Sequence, residues 1–327
     1  RLLGVDVAPL FRGFAYRTIR TRAETSEVAN SVDEAREARD VLAGLVYQQL
    51  FQWLVDRLNK GLRRSQDVGF DSCNSLGILD LYGFEKFVPP QTNGFDQLCI
   101  NYADEKVHNL AVAHLAQMDQ ALYAKEKVEF PLRRFADAEF GDFGRLDCVG
   151  TFENRRENII DLLDDMCGKS QKDRTVEESF KAAIVDMPFM SRHKPRFSST
   201  ESADFTIKHF SGDVDSYTVG YSVEGFATQN RNSLDQDFAE MCANSRDKFV
   251  RSLFESLHQT YMQQRPVPSP MSQFRSQLSK IFDELQNPSM QLHYVKCIRP
   301  NLMFTKDFDQ DFVQRQIRNM QLPHIVA

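Results

Sequence analysis

Apolar residues recur at helical spacing over long stretches of the chain. Leu42, Val46, Leu50, Trp53, Leu54 and Leu58 keep an i, i+3/i+4 rhythm with no proline through Arg64, which predicts a long amphipathic helix. Ser31-Val32-Asp33-Glu34 has the form of a capping box at its start, and Gly61 or the polar stretch near Ser65–Gly69 marks its end. A second long helix is predicted from about Phe95 to Lys125. It has Asn93 as its cap and Phe95, Leu98, Cys99, Tyr102, Leu110, Met118 and Leu122 on or near one stripe. Shorter helical patterns cover Arg156–Met166, Glu177–Val185, Ser233–Tyr261, Phe274–Leu285 and Phe308–Met320. Other stretches carry a different signal. Ser75–Leu81 is a short apolar run containing one acid, Asp80, and reads as a fully buried strand; Leu292–Ile298 reads as a second strand. Ala203–Thr228 alternates in places and turns at Ser211-Gly212-Asp213, as strands joined by tight turns do. Residues 131–155, rich in Phe and Asp, read as loop or short strand, and Arg265–Pro270, with three prolines, as a loop that cannot be helix. Helices interleaved with isolated buried strands predict an α/β fold.

Composition narrows the classes. The chain has 327 residues, 42% hydrophobic and 26% charged, which is globular and ample for a core. A net charge of −6 argues against a nucleic-acid binder. The six cysteines lie far apart without a CxxC pair, a pattern of reduced thiols in a cytosolic protein. No apolar run approaches the ~20 residues of a membrane helix. The seven histidines show no H-E-x-x-H spacing, and His108 and His114 are six apart, off a shared helical face. The chain opens without Met and ends on an apolar run, so both ends are expected to be truncations.

The sharpest local feature is Leu79-Asp80-Leu81-Tyr82-Gly83-Phe84-Glu85. Nucleotide-binding sheets place an acid near Mg²⁺ at the end of a buried strand. A glycine three residues on lets a backbone N–H approach a phosphate with no Cβ in the way. On these positions alone, a strand leading into an ordinary glycine turn explains the pattern better. Gly168-Lys169-Ser170 imitates the end of a phosphate loop, but Leu163 stands where its first glycine is needed and a helix precedes it, so it is rejected.

The wider sequence gives the motif its context. Asp80-Leu81-Tyr82-Gly83-Phe84-Glu85 resembles the D-I-x-G-F-E switch II of myosins, and Asn93-Gly94-Phe95-Asp96-Gln97-Leu98-Cys99-Ile100-Asn101-Tyr102-Ala103-Asp104-Glu105-Lys106 resembles the opening of the myosin relay helix. Four further blocks match in order: Leu2-Leu3-Gly4-Val5-Asp6; Arg39–Tyr47 with Leu50–Val55; Phe205–Val214; and His293–Asn301. The resemblance spans nearly all of residues 2–320. It implies part of a myosin head, related to P-loop NTPases, with long helices, a few central-sheet strands and a small β-hairpin region. The implied divisions are a cardiomyopathy-loop region and long helix (1–70), switch II and relay helix (71–130), relay loop and lower subdomain (131–258), a short loop 2-like segment (259–272), and an actin-facing helix, sheet strand and start of the thiol helix (273–327).

Residue by residue, the resemblance implies that Asp80 holds a water on Mg²⁺, that the Gly83 N–H meets the γ-phosphate of ATP, and that Glu85 closes the back of the site. It implies actin contacts at Glu24, Phe274, Leu278, Lys280, Ile281, Asp283, Glu284 and Arg299. Glu24 would supply fixed negative charge at a position that other members phosphorylate. The implied setting is the cytoplasmic actin cytoskeleton, with light chains or calmodulin on a lever arm outside this sequence. Neither G-x-x-x-x-G-K-[ST] nor a switch I occurs in the chain, nor does a converter. Phe130 replaces the usual relay-loop Trp, segment 259–272 has one basic residue, Arg265, and Gln321 and Pro323 interrupt the thiol-helix pattern. A degenerate myosin-like actin-binding or scaffold module is the alternative these departures favour.

Overall fold

The computed structural model describes residues 2–20, 25–62, 76–87, 90–128, 147–169, 173–185, 203–211, 218–230, 236–263, 268–301 and 306–319. Helices α1 (Val7–Ala15) and α2 (Val32–Leu62) flank strands β1 (Tyr16–Arg20) and β2 (Thr25–Ala29). Then come α3 (Phe95–Lys125), α4 (Asp147–Glu153), α5 (Ile159–Lys169) and α6 (Asp173–Val185), and after them strands β3 (Phe205–Lys208) and β4 (Thr218–Tyr221). Helices α7 (Phe226–Asn230), α8 (Gln236–Ala243), α9 (Lys248–Met262), α10 (Pro270–Leu285) and α11 (Gln310–Asn319) complete the order. The chain divides into two compact units, Arg1–Ile78 with Asn232–Pro268, and Leu79–Arg231 with Ser269–Ala327.

In the first unit, the capping box forms as the sequence predicts. The Ser31 N–H donates to Glu34 Oε2 at 2.7 Å and the Glu34 N–H to Ser31 Oγ at 3.3 Å. The core gathers Leu42 and Leu45 of α2, Phe238 and Cys242 of α8, and Val250, Leu253 and Phe254 of α9. The stretch expected as one helix over Ser233–Tyr261 is two, because the Asp247 carboxylate accepts from the Phe249 and Val250 N–H groups and restarts the chain as α9. Gly4 lies against this break with φ +61°, and a Cβ there would stand 2.7 Å from the Asp247 nitrogen, so both conformation and space require glycine. Strands β1 and β2 pair antiparallel, with Tyr16 opposite Ala29 and Arg20 opposite Thr25.

In the second unit, α3 runs over the predicted span. Its first half is buried through Phe95, Leu98, Tyr102 and Ala111, among Phe152, Ile160, Leu163, Phe180, Phe226 and Phe282 of the surrounding elements. Tyr102 stacks on Phe152 with centroids 4.4 Å apart. The hydroxyl of Tyr102 donates to Glu153, which also takes Lys106 at 2.5 Å. The predicted stripe is exposed at Met118 and Leu122. The helix ends in a Schellman motif: the Lys127 N–H bonds the Ala124 carbonyl, the Val128 N–H bonds the Tyr123 carbonyl, and Lys127 adopts φ +59°.

Several expectations are corrected. Neither Ser75–Leu81 nor Leu292–Ile298 forms a strand among the described residues. Leu76 is 91% and Ile78 87% exposed, and Val295 is exposed as well. An apolar run becomes a parallel strand only when neighbouring strands take its N–H and C=O groups, and no described residue does so. Among the described residues the sheets are two two-stranded antiparallel pairs, β1–β2 and β3–β4, in place of the expected central-sheet strands. The β3–β4 pair, with Phe205 opposite Tyr221, is the small hairpin region foreseen from the alternation. Helix α4 occupies part of the stretch read as loop. Helix α10 begins at Pro270, inside the expected loop, because Ser269 caps it and proline needs no N–H partner in the first turn.

Candidate functional site

Of residues 80–87, which carry the sharpest sequence motif, the last three are held by side chains at the start of α3. Asp80 is exposed, and among the described residues its carboxylate has no hydrogen-bond or ion-pair partner. Tyr82 is 90% exposed. Gly83 has φ +77°, the left-handed region that other residues enter at a cost, and a Cβ there would meet nothing within 4 Å. Its N–H group thus sits on a bare, uncrowded bend. From Phe84 onward the segment is tied down. The Phe84 ring meets the edges of His209 and Phe210 at centroid distances of 5.3 and 5.5 Å.

Three amide side chains at the start of α3 hold residues 85–87. Asn101 grips the Glu85 backbone from both sides: its Oδ1 accepts the Glu85 N–H at 2.8 Å, and its Nδ2 donates to the Glu85 carbonyl at 2.8 Å. Gln97 caps the start of α3 by accepting the Gly94 N–H at 3.0 Å and donates to Glu85 Oε2 at 3.2 Å. Asn93, expected as the cap, is one residue early. It accepts the Phe87 N–H at 2.7 Å and donates to the carbonyls of Phe87 and Gly220, so it joins the segment to β4 while Gly94 takes the cap position.

Behind this clamp lies a buried polar network. Asn101 Nδ2 also donates to the Tyr221 hydroxyl at 2.9 Å, which is 2.8 Å from His209 Nε2. His209 Nδ1 lies 3.1 Å from Glu105 Oε2 and 3.4 Å from Cys148 Sγ. Burial pushes the Tyr221 phenol well above its ordinary range, against a smaller opposing effect of the Asn101 bond, so the hydroxyl keeps its proton. With Asn101 donating to that oxygen, the Tyr221 proton turns to Nε2. The hydrogen-bond pattern therefore assigns His209 a proton at Nδ1, donated to Glu105. In the sequence, Asn101, Glu105 and His209 stand within motifs that give them no role. The available signal is polar residues on the buried face of a helix: Asn101, Glu105 and His108 share the spacing of Leu98 and Tyr102.

The residues proposed for a filament surface divide. On α10, Leu278 is buried, and Phe274 packs toward Tyr102 with ring centroids 6.3 Å apart, so both serve the core. Lys280, Ile281, Asp283 and Glu284 form its exposed face. Arg299 is exposed, with its backbone N–H and C=O both bonded to the Gln316 side chain at 2.9 and 2.8 Å. Glu24, Phe130, Arg265, Gln321 and Pro323 lie outside the described residues. Gly168 sits inside α5, where helical backbone cannot form a phosphate nest, in keeping with its rejection. No helix of the described residues is long and apolar enough to cross a membrane.

This arrangement, an acid and a glycine on a bend clamped to the start of a long helix, coincides with a family-wide match. The Myosin head (motor domain) model covers residues 1–324. The chain belongs to that family. It is 31% identical over 304 residues to Myosin-13 of Arabidopsis thaliana, covering 92% of this chain and 19% of that protein. It is 29% identical over 332 residues to Unconventional myosin-Ic of Gallus gallus, covering 98% of this chain and 30% of that protein. Unconventional myosin-Ig of Mus musculus is 32% identical over 298 residues, 85% of this chain and 26% of that protein. The chain thus spans less than a third of the length of these relatives.

Proposed function

We propose that this chain is the switch and actin-facing part of an actin-based motor that couples MgATP hydrolysis to movement along filaments in the cytoplasm. Asp80, Gly83 and Glu85 form its phosphate-sensing segment, and α3 is its relay. The observation that carries this reading is the clamp of Asn93, Gln97 and Asn101 on residues 85–87, which ties the segment just after the Gly83 bend to α3 through bonds to the Glu85 and Phe87 backbone and to the Glu85 carboxylate. A displacement of the bend is thereby passed to the rod rather than lost in a loop.

The residues present fit a magnesium nucleotide. Asp80 offers an exposed carboxylate, unpaired among the described residues, that can hold a metal-bound water, and Gly83 offers an N–H on a bend with open space beside its Cα. Magnesium would supply charge neutralisation for the phosphoryl group in transit. The chain's own contributions are to orient Asp80, to bring the Gly83 N–H toward the terminal phosphate, and to hold Glu85 at the amide side chains of α3. On α10, Lys280, Ile281, Asp283 and Glu284 would meet actin, with Leu278 and Phe274 anchoring the helix behind them.

A second reading, a filament-binding module without motor activity, draws support from the single basic residue in segment 259–272 and from Pro323 in the thiol-helix pattern. Steady-state phosphate release by the full-length protein, with and without filamentous actin, separates the two. The motor reading predicts actin-stimulated turnover that is abolished by Gly83→Ala and by Glu85→Ala, with no turnover by the 327-residue chain alone. Cosedimentation with actin and no turnover by the full-length protein would overturn it in favour of the module.

A further inference from the structure

We infer that Glu105, Cys148 and His209 form a binding site for one zinc-class divalent cation beneath Phe84. These three residues offer oxygen, sulfur and nitrogen ligand atoms all within 4.8 Å of one another. That mixture suits zinc, which takes thiolate, imidazole and carboxylate together. Bonds of about 2.0–2.3 Å at tetrahedral angles place neighbouring ligand atoms about 3.3–3.6 Å apart. The observed separations from His209 Nδ1, 3.1 Å to Glu105 Oε2 and 3.4 Å to Cys148 Sγ, are close to these values, and the carboxylate and thiol would draw together around the ion.

The surroundings are those of a built site. The His209 side chain is fully buried and that of Glu105 is 5% exposed. Both Sγ and Oε2 converge on one ring nitrogen, as ligand atoms around a shared cation do. The ring is oriented from its far side by the Tyr221 hydroxyl at 2.8 Å, itself held by Asn101, and the Glu105 carboxylate is oriented by the Phe210 N–H at 3.1 Å. Partners of this kind hold ligand directions at metal centres. On binding, the thiol of Cys148 gives up its proton to solvent. The imidazole remains neutral as its proton passes from Nδ1 to Nε2, and the Tyr221 hydroxyl turns its own proton away so that its oxygen accepts the Nε2–H. Three protein ligands leave one position for water. Because Phe84 rests on His209, the ion would stiffen the base of the bend that Gly83 forms.

The test uses the 327-residue chain, stripped with chelator and dialysed against zinc chloride. We expect one zinc bound per chain and about one proton released per ion. Cys148→Ser and His209→Gln should each weaken binding at least tenfold. Because either variant could fail to fold, the unaltered chain is also treated with iodoacetamide. Zinc should protect Cys148, located by peptide mass mapping, and leave the exposed Cys297 reactive. Cobalt in place of zinc should give a thiolate-to-metal charge-transfer band. Equal labelling of Cys148 with and without zinc, together with no cobalt band, would overturn the inference. So would full-affinity binding by both folded variants.

Discussion

Replacing Asn101 with alanine tests how tightly the bend is held to α3. The side chain is fully buried and makes three hydrogen bonds, at 2.8, 2.8 and 2.9 Å, to the Glu85 N–H, the Glu85 carbonyl and the Tyr221 hydroxyl. Each contributes about 0.5–1.5 kcal/mol net, and the truncation leaves partly buried backbone groups unpaired. The total is about 2–4 kcal/mol, most of it local to residues 84–87. At 1.4 kcal/mol per factor of ten, amide exchange at Glu85 should accelerate by about thirtyfold or more. Native-state hydrogen exchange read by NMR or fragment mass spectrometry measures it. Gln97→Ala is the control: it removes the bond to the Glu85 carboxylate and the cap on Gly94, and it leaves the Glu85 N–H bonded. Glu85 exchange within twofold of the unaltered chain in Asn101→Ala would refute the clamp.

Single features elsewhere in the fold give further tests. Lys127→Gly should stabilise the end of α3 by about 0.5–1 kcal/mol in urea denaturation, because Lys127 holds the left-handed position that glycine fills without strain. Ser31→Ala should cost about 1 kcal/mol by removing half of the capping box of α2. Burial pushes the Cys99 thiol up to about 12 and the Cys242 thiol up to about 11, so at neutral pH both should alkylate far more slowly than Cys297. For Asp204, burial raises the carboxyl pKa, but the Lys181 ammonium and the Val223 N–H and Ser222 hydroxyl donors outweigh it and leave the pKa below the ordinary value. A lowered carboxyl pKa gives stability that is present above the unfolded value of about 3.9 and lost as pH falls through the folded value. Asp204→Asn should therefore lower the urea midpoint at pH 7, and the deficit should vanish in acid.

Much of the helical framework is legible in the sequence, and the reasons are local. The Ser31–Glu34 box, the periodicity of α3 and the alternation before Ser211 each encode an element in neighbouring residues. The strands expected at 75–81 and 292–298 do not form among the described residues because an apolar run states only that burial is wanted, while ladder partners decide whether a strand results. The split between α8 and α9 depends on one capping aspartate, Asp247, inside a continuous helical pattern. At the site, the motif locates Asp80, Gly83 and Glu85, and the resemblance supplies roles for them. The amides that hold the segment cannot be assigned from sequence, since a role for Asn101 or Asn93 rests on which backbone groups come near, and that is set by packing between β4 and α3.

The central claim is that the bend at Gly83 registers a nucleotide's terminal phosphate and passes its state to α3. Hydrogen exchange of the full-length protein, saturated in turn with a non-hydrolysable MgATP analogue and with MgADP, tests it most directly. The account predicts slower exchange at the Gly83 and Glu85 amides with the terminal phosphate present, accompanied by a change along the first half of α3. Identical exchange at Gly83, Glu85 and α3 in the two states, with both nucleotides demonstrably bound, would contradict it.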